Sequence, residues 1–280
     1  MTPAARRKPQ ARTVLLDRAI EGLPLFRLSD SSDDSVVAFT ADNGGRWRVL
    51  PAPGERLPGT FDQDVYFELM RRYAEAEAPA DGTLSFTLHA FLRSMGRRVD
   101  GRTYEQLRGA LARLERTVLE SEAAWYDAAR REHPAARFTI LSAVAIDRRR
   151  FTDRDQLALF PALASNEPGD ARVTLAPQIR GNLAAGHAVA LLAPRYVALS
   201  SPVARRLYRL LEAHRAESGA GQWRLTLERL AELLPLTQRY PSHLQRVIQP
   251  AHEMLVAAGS VKRARFTQAG RIWSVEYDWN

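Results

Sequence analysis

The sequence predicts an α+β chain made of two winged helix-turn-helix domains in tandem, and three observations carry that prediction. The chain has 280 residues, and at roughly 150 residues per domain this corresponds to about two domains. Apolar residues recur at period 2 in some segments and at 3–4 spacing in others, so strands and helices are interleaved. Finally, the chain repeats itself. Gly82-Thr-Leu-Ser-Phe-Thr-Leu-His-Ala-Phe aligns with Gly221-Gln-Trp-Arg-Leu-Thr-Leu-Glu-Arg-Leu at an offset of 139. Thr87-Leu88 falls on Thr226-Leu227, Phe91 on Leu230 and Met95 on Leu234. With the following turn shortened by two residues, Leu107 meets Leu244, Ala110 meets Val247, Leu111 meets Ile248 and Val118 meets Leu255. The expected organisation is a flexible leader over 1–35, a first winged-helix domain over 36–197 and a second over 198–280.

Taken in order, the leader pairs a basic tail (MTPAARRKPQAR) with a short apolar patch (Leu23, Leu25, Phe26) and the acidic, turn-prone run SDSSDDS at 29–35. Val36 to Phe39 and Trp47 to Leu50 read as strands around an Asn43-Gly44-Gly45 turn, a hairpin pattern. A loop rich in Pro and Gly follows. A helix then runs from Asp62, the expected N-cap, with Val65, Phe67, Leu69, Met70 and Tyr73 on its apolar side. Gly82 to Phe86 is a short strand, and Thr87 caps a helix containing Leu88, Phe91, Leu92 and Met95. The basic turn Gly96-Arg97-Arg98-Val99-Asp100-Gly101-Arg102 leads to a long helix opened by Thr103, with Leu107, Ala110, Leu111, Leu114 and Val118 on one face. Phe138 to Ile146 alternates as a strand, with 122–137 as its hairpin partner and loop. Residues 152–170 read as a loop, Val173 to Leu175 as a strand, 177–185 as a helix and His187 to Leu192 as a strand. Pro202 opens a strong helix, with Arg205, Arg206 and Arg209 flanking its apolar side. Pro250 lies in the second long helix and either kinks it or separates two helices.

Composition narrows the function. Apolar residues make up 45% and charged residues 26%, as in ordinary globular chains. No apolar run reaches the ~18 residues of a spanning helix, and the basic tail has no apolar stretch behind it, so it is not a secretory signal. The absence of cysteine excludes disulfides, thiolate zinc sites, iron–sulfur clusters and thiol catalysis. Net charge is +8, and only Lys8 and Lys262 among 40 basic residues are lysines. GC-rich coding and phosphate recognition both favour arginine, and the balance makes nucleic acid the expected partner.

A reading helix needs an apolar back and a polar front whose N-terminal half enters the major groove. In the first unit, with Leu107 as the back, Arg102, Glu105, Gln106, Gly109, Arg113 and Arg116 point away, and Gly109 leaves room for close approach. Arg97, Arg98 and Thr103 flank that helix's start. In the second, Arg239, Ser242, His243, Arg246 and Gln249 point away from Leu244. Arg suits guanine and Gln suits adenine. The C-terminal hairpin carries Lys262, Arg263, Arg265 and Arg271, a wing suited to backbone or minor-groove contact.

Several stretches resemble plasmid replication initiator proteins of the RepA type, the replication initiator protein A family. Gly59-Thr-Phe-Asp-Gln-Asp-Val-Tyr is similar to the segment opening that family's first winged-helix domain. Gly101-Arg-Thr-Tyr-Glu-Gln-Leu-Arg-Gly-Ala-Leu-Ala-Arg-Leu resembles its first recognition helix. Phe138-Thr-Ile-Leu-Ser resembles the strand that follows, and Pro202-Val-Ala-Arg-Arg-Leu-Tyr-Arg-Leu-Leu the helix opening the second domain. The resemblance implies binding to directly repeated double-stranded DNA sites at an origin, melting of adjacent AT-rich DNA, and recruitment of host replication proteins. It also implies a homodimer through the first domain that represses its own gene, and a cytoplasmic, nucleoid- or plasmid-associated protein with no membrane partner. The second unit's turn lacks the dense arginine of the first, a departure that bears on base reading there.

Catalytic signatures are missing. The chain has no G-x-x-x-x-G-K-[ST], no H-E-x-x-H, no H-x-H and no G-x-S-x-G. Asp62 and Asp64 could hold a metal, but helix capping accounts for Asp62 more simply. The expectation is therefore a DNA-binding protein with no cofactor, no metal and no enzymatic activity. A transcriptional repressor or repair-associated DNA binder of the same fold is the alternative.

Overall fold

The computed structural model describes residues 12–28, 36–146, 171–238 and 240–279. Its first strand, β1 (Thr13–Asp17), buries Val14 and Leu16 while Thr13 and Leu15 face outward, the alternation of a strand with one wet face. It pairs antiparallel with β9 (Ala188–Leu192), Thr13 opposite Leu192 and Asp17 opposite Ala188. Asp17 then caps the short helix α1 (Arg18–Glu21), accepting from the Ala19 N–H at 2.9 Å. Leu23, Leu25, Phe26 and Leu28 are buried behind it. Residues 13–28 therefore do not belong to a flexible leader. Their apolar side chains are part of the core, while 1–11 and 29–35 lie outside the described residues.

The expected hairpin forms from β2 (Val37–Thr40) and β3 (Arg46–Leu50). Asn43 Oδ1 accepts from Gly45 N–H at 2.9 Å, and Gly44 takes a φ of +82°, a conformation that glycine adopts without strain. A Cβ on Gly45 would sit 2.3 Å from the Ala123 carbonyl, so this turn is pressed against the neighbouring chain. Two further strands, β5 (Val118–Glu122) and β6 (Ala135–Phe138), complete a four-stranded sheet of order β2-β3-β5-β6.

Helix α2 (Thr60–Glu75) begins two residues earlier than its expected start, with Gly59 at the N-cap. Asp62 is not the N-cap. It stands in the first turn and accepts from the Gly59 N–H at 2.7 Å, which leaves its second oxygen free for another element. Eleven of the sixteen residues of α2 are buried, including Asp62, Gln63, Asp64 and Glu68, so the helix is enclosed on nearly all sides.

The two repeated segments share a strand order. The first contains β4 (Thr83–Phe86), α3 (Leu88–Ser94), α4 (Gly101–Arg116), β7 (Leu141–Ile146) and β8 (Ala171–Leu175), with sheet order β4-β8-β7. The second contains β10 (Gln222–Thr226), α8 (Leu227–Leu233), α9 (Pro241–Ala257), β11 (Arg263–Ala269) and β12 (Ile272–Asp278), with sheet order β10-β12-β11. Thr87 and Thr226 cap equivalent helices, accepting from Ala90 and Arg229 N–H at 3.0 and 3.1 Å. Three details depart from the sequence reading. Helix α4 is capped by Asp100, with Thr103 reciprocating from the first turn. Val118 lies in β5, because Thr117 is already extended. The stretch 138–146 is split between two sheets, since Phe138 packs on Trp47 and Trp125 while Leu141 pairs with Leu175. The first hairpin after α4 is thus β7–β8, and 122–137 serves the other sheet. The 152–170 stretch lies outside the described residues.

Helix α5 (Pro177–Ala184), strand β9, helix α6 (Ala193–Ala198) and helix α7 (Pro202–Ser218) connect the two segments. Helix α7 packs on both α1 and α9. Helix α9 runs unbroken through Pro250, which decides between the two readings of that proline. Among the described residues, no helix is long and apolar enough to cross a membrane.

Candidate nucleic-acid interface

Helix α4 has the required two-sided character. Leu107, Ala110, Leu111 and Leu114 are fully buried on its back, and Arg102 and Gln106 are exposed near its N-terminus. Before it, Arg98 is 89% exposed, with Asp100 at 3.6 Å. Arg97 is half exposed, its guanidinium 2.7 Å from Asp64 Oδ2 and lying 5.6 Å from the centre of the Phe61 ring. These four residues form one polar surface around the helix start.

Two predicted contacts in this unit are occupied otherwise. Thr103 Oγ1 donates to the Arg98 carbonyl at 2.8 Å and accepts from the Asp100 N–H, so it holds the turn rather than facing outward. Arg113 is only 14% exposed and binds Asp62 Oδ1 through Nε and Nη2 at 3.0 and 2.8 Å. The buried carboxylate needs a partner, and Arg113 supplies it across the α2–α4 contact. Gly109 lies against that side chain, a Cβ there meeting Arg113 Nη1 at 3.2 Å. Its small size thus serves Arg113. Arg116 pairs with Glu55.

Helix α9 buries Leu244, Ile248, Ala251 and Leu255 and exposes Ser242, His243, Arg246 and Gln249. Gln249 Nε2 donates to Glu253 at 2.9 Å. Arg239 lies outside the described residues. Sequence reasoning missed Tyr240, 70% exposed at the helix start, with its ring centre 5.7 Å from that of His243. An aromatic just before the helix-opening Pro241 was the available signal. In the wing, Lys262 is exposed. Arg265 pairs with Glu276 at 2.7 Å, Arg224 reaches the same carboxylate at 3.5 Å, and Arg263 lies 4.0 Å from Asp278. The wing arginines are thus partly neutralised by their own sheet.

A second set of polar residues was not legible as a group. Arg206 and Arg209, expected beside the apolar face of α7, are each 1% exposed. Both reach Glu21, and Arg206 also donates to the Leu23 and Leu233 carbonyls. Burial lowers the Arg206 pKa to about 10. Arg209 also donates to Gln63 Oε1 at 2.9 Å. Asp64 accepts from Arg97, Arg205 and the Tyr196 hydroxyl. Elsewhere, burial raises the Asp17 carboxyl to about 7 and lowers His252, paired with the Tyr277 hydroxyl at 2.9 Å, to about 4. Among the described residues, no group of three or more His, Asp or Glu side chains could hold a metal ion.

The chain matches no curated protein. Its fold is similar to domains 2 and 3 of RctB, as seen in a crystal structure of selenomethionine derivatives. The TM-score is 0.53 at 12% identity, covering 91% of this chain and 94% of that one. A second structure of RctB domains 2–3 gives 0.50 at 11% identity, covering 94% and 96%. The family model described as replication initiator protein A matches residues 16–246. A match over that much of the sequence places the chain in the replication initiator protein A family.

Proposed function

We propose that this protein binds directly repeated double-stranded DNA sites at a replication origin, with two winged-helix units whose reading helices are α4 and α9, and that it acts through binding energy without a catalytic step. The observation that carries the reading is the shared strand order of the two units, each presenting a helix with a buried apolar back and an exposed polar N-terminal half. Membership of the initiator family supports the origin as the target. Arg102 and Gln106 have the donor geometry for guanine and adenine edges. Arg98, Lys262 and the wing arginines suit phosphates, which position the protein without reading sequence. Opening of adjacent AT-rich DNA draws on the deformability of such steps. Recruitment of host replication proteins, a homodimer through the first unit, repression of its own gene and a cytoplasmic location complete the proposal.

The test is selection of bound fragments from the DNA surrounding the gene, with purified protein at physiological salt. Enrichment of direct repeats is the expected result. Enrichment of a single inverted operator would instead make the protein a repressor, and affinity independent of salt would remove the phosphate-binding basis altogether.

A further inference from the structure

Three consecutive residues of α2 reach the first helix-turn-helix unit and the helices α6 and α7 that lead to the second. Successive helical side chains point about 100° apart, so neighbours on an enclosed helix address different elements. Asp62 binds Arg113 of α4. Gln63 accepts from Arg209 of α7 and donates to the Pro202 carbonyl. Asp64 has the widest reach. Arg97 in the turn before α4 donates to its Oδ2 at 2.7 Å, Arg205 of α7 donates to the same oxygen, and Tyr196 of α6 donates to Oδ1 at 3.1 Å. Tyr196 is itself stacked on Phe67 of α2, ring centres 3.7 Å apart and 7° from parallel. Arg205 lies over the Tyr196 ring and holds the Leu199 carbonyl at 2.7 Å. Helix α7 in turn packs against α9. One carboxylate therefore ties the turn that precedes one reading helix to the helix that supports the other.

We infer that Asp64 is a positioning residue that sets the separation and helical phase of the two half-sites the protein accepts. The inference rests on the tandem reading proposed above and adds a determinant to it. Each reading unit meets bases only on the groove face, so a rigid joint converts a change in half-site spacing into loss of one unit's contacts. With a loosened joint, each unit rotates to meet its own groove. Arg97 is both a partner of Asp64 and part of the exposed surface, so releasing it does not weaken the first unit's hold on phosphate.

The experiment measures affinity for duplexes whose two half-sites are moved apart in single base-pair steps. For the native protein, a shift of about 5 base pairs, half a helical turn, is expected to lower affinity at least about tenfold. In Asp64→Asn that penalty is expected to shrink to about twofold, with affinity for a single first-unit half-site unchanged or higher. Arg205→Lys, which keeps the charge but not the two-armed grip, is the second variant should the first fail to fold. A readout that needs no DNA uses the absence of cysteine. Spin labels on Arg93→Cys in α3 and Val256→Cys in α9 should give one narrow distance in the native background and a broadened one in either variant. A folded variant with an unchanged label distance and spacing profile overturns the inference and leaves the proposed function standing. A native protein that binds no duplex overturns both.

Discussion

Two cations beside α4, Arg97 and Arg113, are held by carboxylates of α2, whereas among the described residues no carboxylate holds Arg246 of α9. Arg97 is bound to Asp64 and Arg113 to Asp62, and the start of α4 is closed by the reciprocal Asp100–Thr103 cap. Helix α9 begins at Tyr240 with no side-chain cap, and Ser242 and Arg246 are exposed with no carboxylate partner among the described residues. Within the second unit, β11 and β12 pair their own arginines with Glu276 and Asp278. On the proposed DNA-binding reading, the turn and start of α4 are set before DNA arrives, whereas the start of α9 becomes ordered on contact. Preorganisation lowers the entropic cost of binding, so the first unit should contribute the greater share of specificity.

The largest expected effect tests whether the two units are energetically separate. Leu107→Asp and Leu244→Asp each place a charge at a fully buried position, at a cost of at least about 4 kcal/mol. Because Glu21, Gln63 and Asp64 bind α7, and α7 packs on α9 and donates from Arg206 to the Leu233 carbonyl, thermal melts should show both variants lowering one shared transition. Two transitions, each lowered by one variant only, would show independent bodies.

Protonation should separate the two ends of the chain next. His252 has a folded pKa of about 4 against an ordinary 6.5, so the folded state binds fewer protons than the unfolded chain. Its contribution is complete above pH 6.5 and is lost as pH falls toward 4, by about 3 kcal/mol. Asp17 has the opposite sign. With its pKa raised from 3.8 to about 7, its contribution is complete below pH 3.8 and is lost as pH rises through 7. The two windows overlap and their slopes oppose, so between pH 7 and 4 stability should rise more steeply on acidification in His252→Gln and fall more steeply in Asp17→Asn than in the native protein. Unchanged slopes would place the titrating groups elsewhere.

A smaller effect sharpens the comparison at the DNA. Arg102→Ala with Gln106→Ala should cost about 1–3 kcal/mol per lost bidentate contact on specific DNA and less on non-specific DNA. His243→Ala with Arg246→Ala should cost less than the first pair, given the uncapped helix start. Equal losses on both DNAs for the first pair would move the reading surface off α4. The smallest change is Glu276→Gln, which releases Arg224 and Arg265. Surface pairs of this kind are worth under about 1 kcal/mol, so stability should barely change. DNA binding should become tighter at low salt and more salt-dependent as phosphate contacts are added. An unaltered salt slope would take the wing away from the phosphates.

Local elements were largely legible because their signals are local. The Thr87 and Thr226 caps, the Asn43-Gly44-Gly45 turn and the leucine backs of α4 and α9 depend on residues within a few positions of one another. The caps recur at an offset of 139 and the leucine backs at 137, which was enough to pair the two segments. The exposure of Arg102, Gln106, Ser242, His243 and Arg246 was legible because a helix with a known back has a defined front. Thr103 and Arg113 lay on or beside that front, and the helix wheel could not show that one belongs to a cap and the other to a buried carboxylate.

What the sequence by itself determined is the mixed α+β character, the repeat, the start of most elements and the outward faces of the two long helices, all consequences of periodicity and capping within one turn or one strand. The tertiary structure alone decided that residues 13–28 are core, since β1 is recognised only by its partner β9, which lies far along the chain with Ala188 opposite Asp17. It alone divided 138–146 between two sheets and gathered Asp62, Gln63 and Asp64 with Arg113, Arg209 and Arg205. A buried charge is stable only beside a partner of opposite sign, and that partner is chosen by packing between helices far apart in the chain, where no local pattern records it.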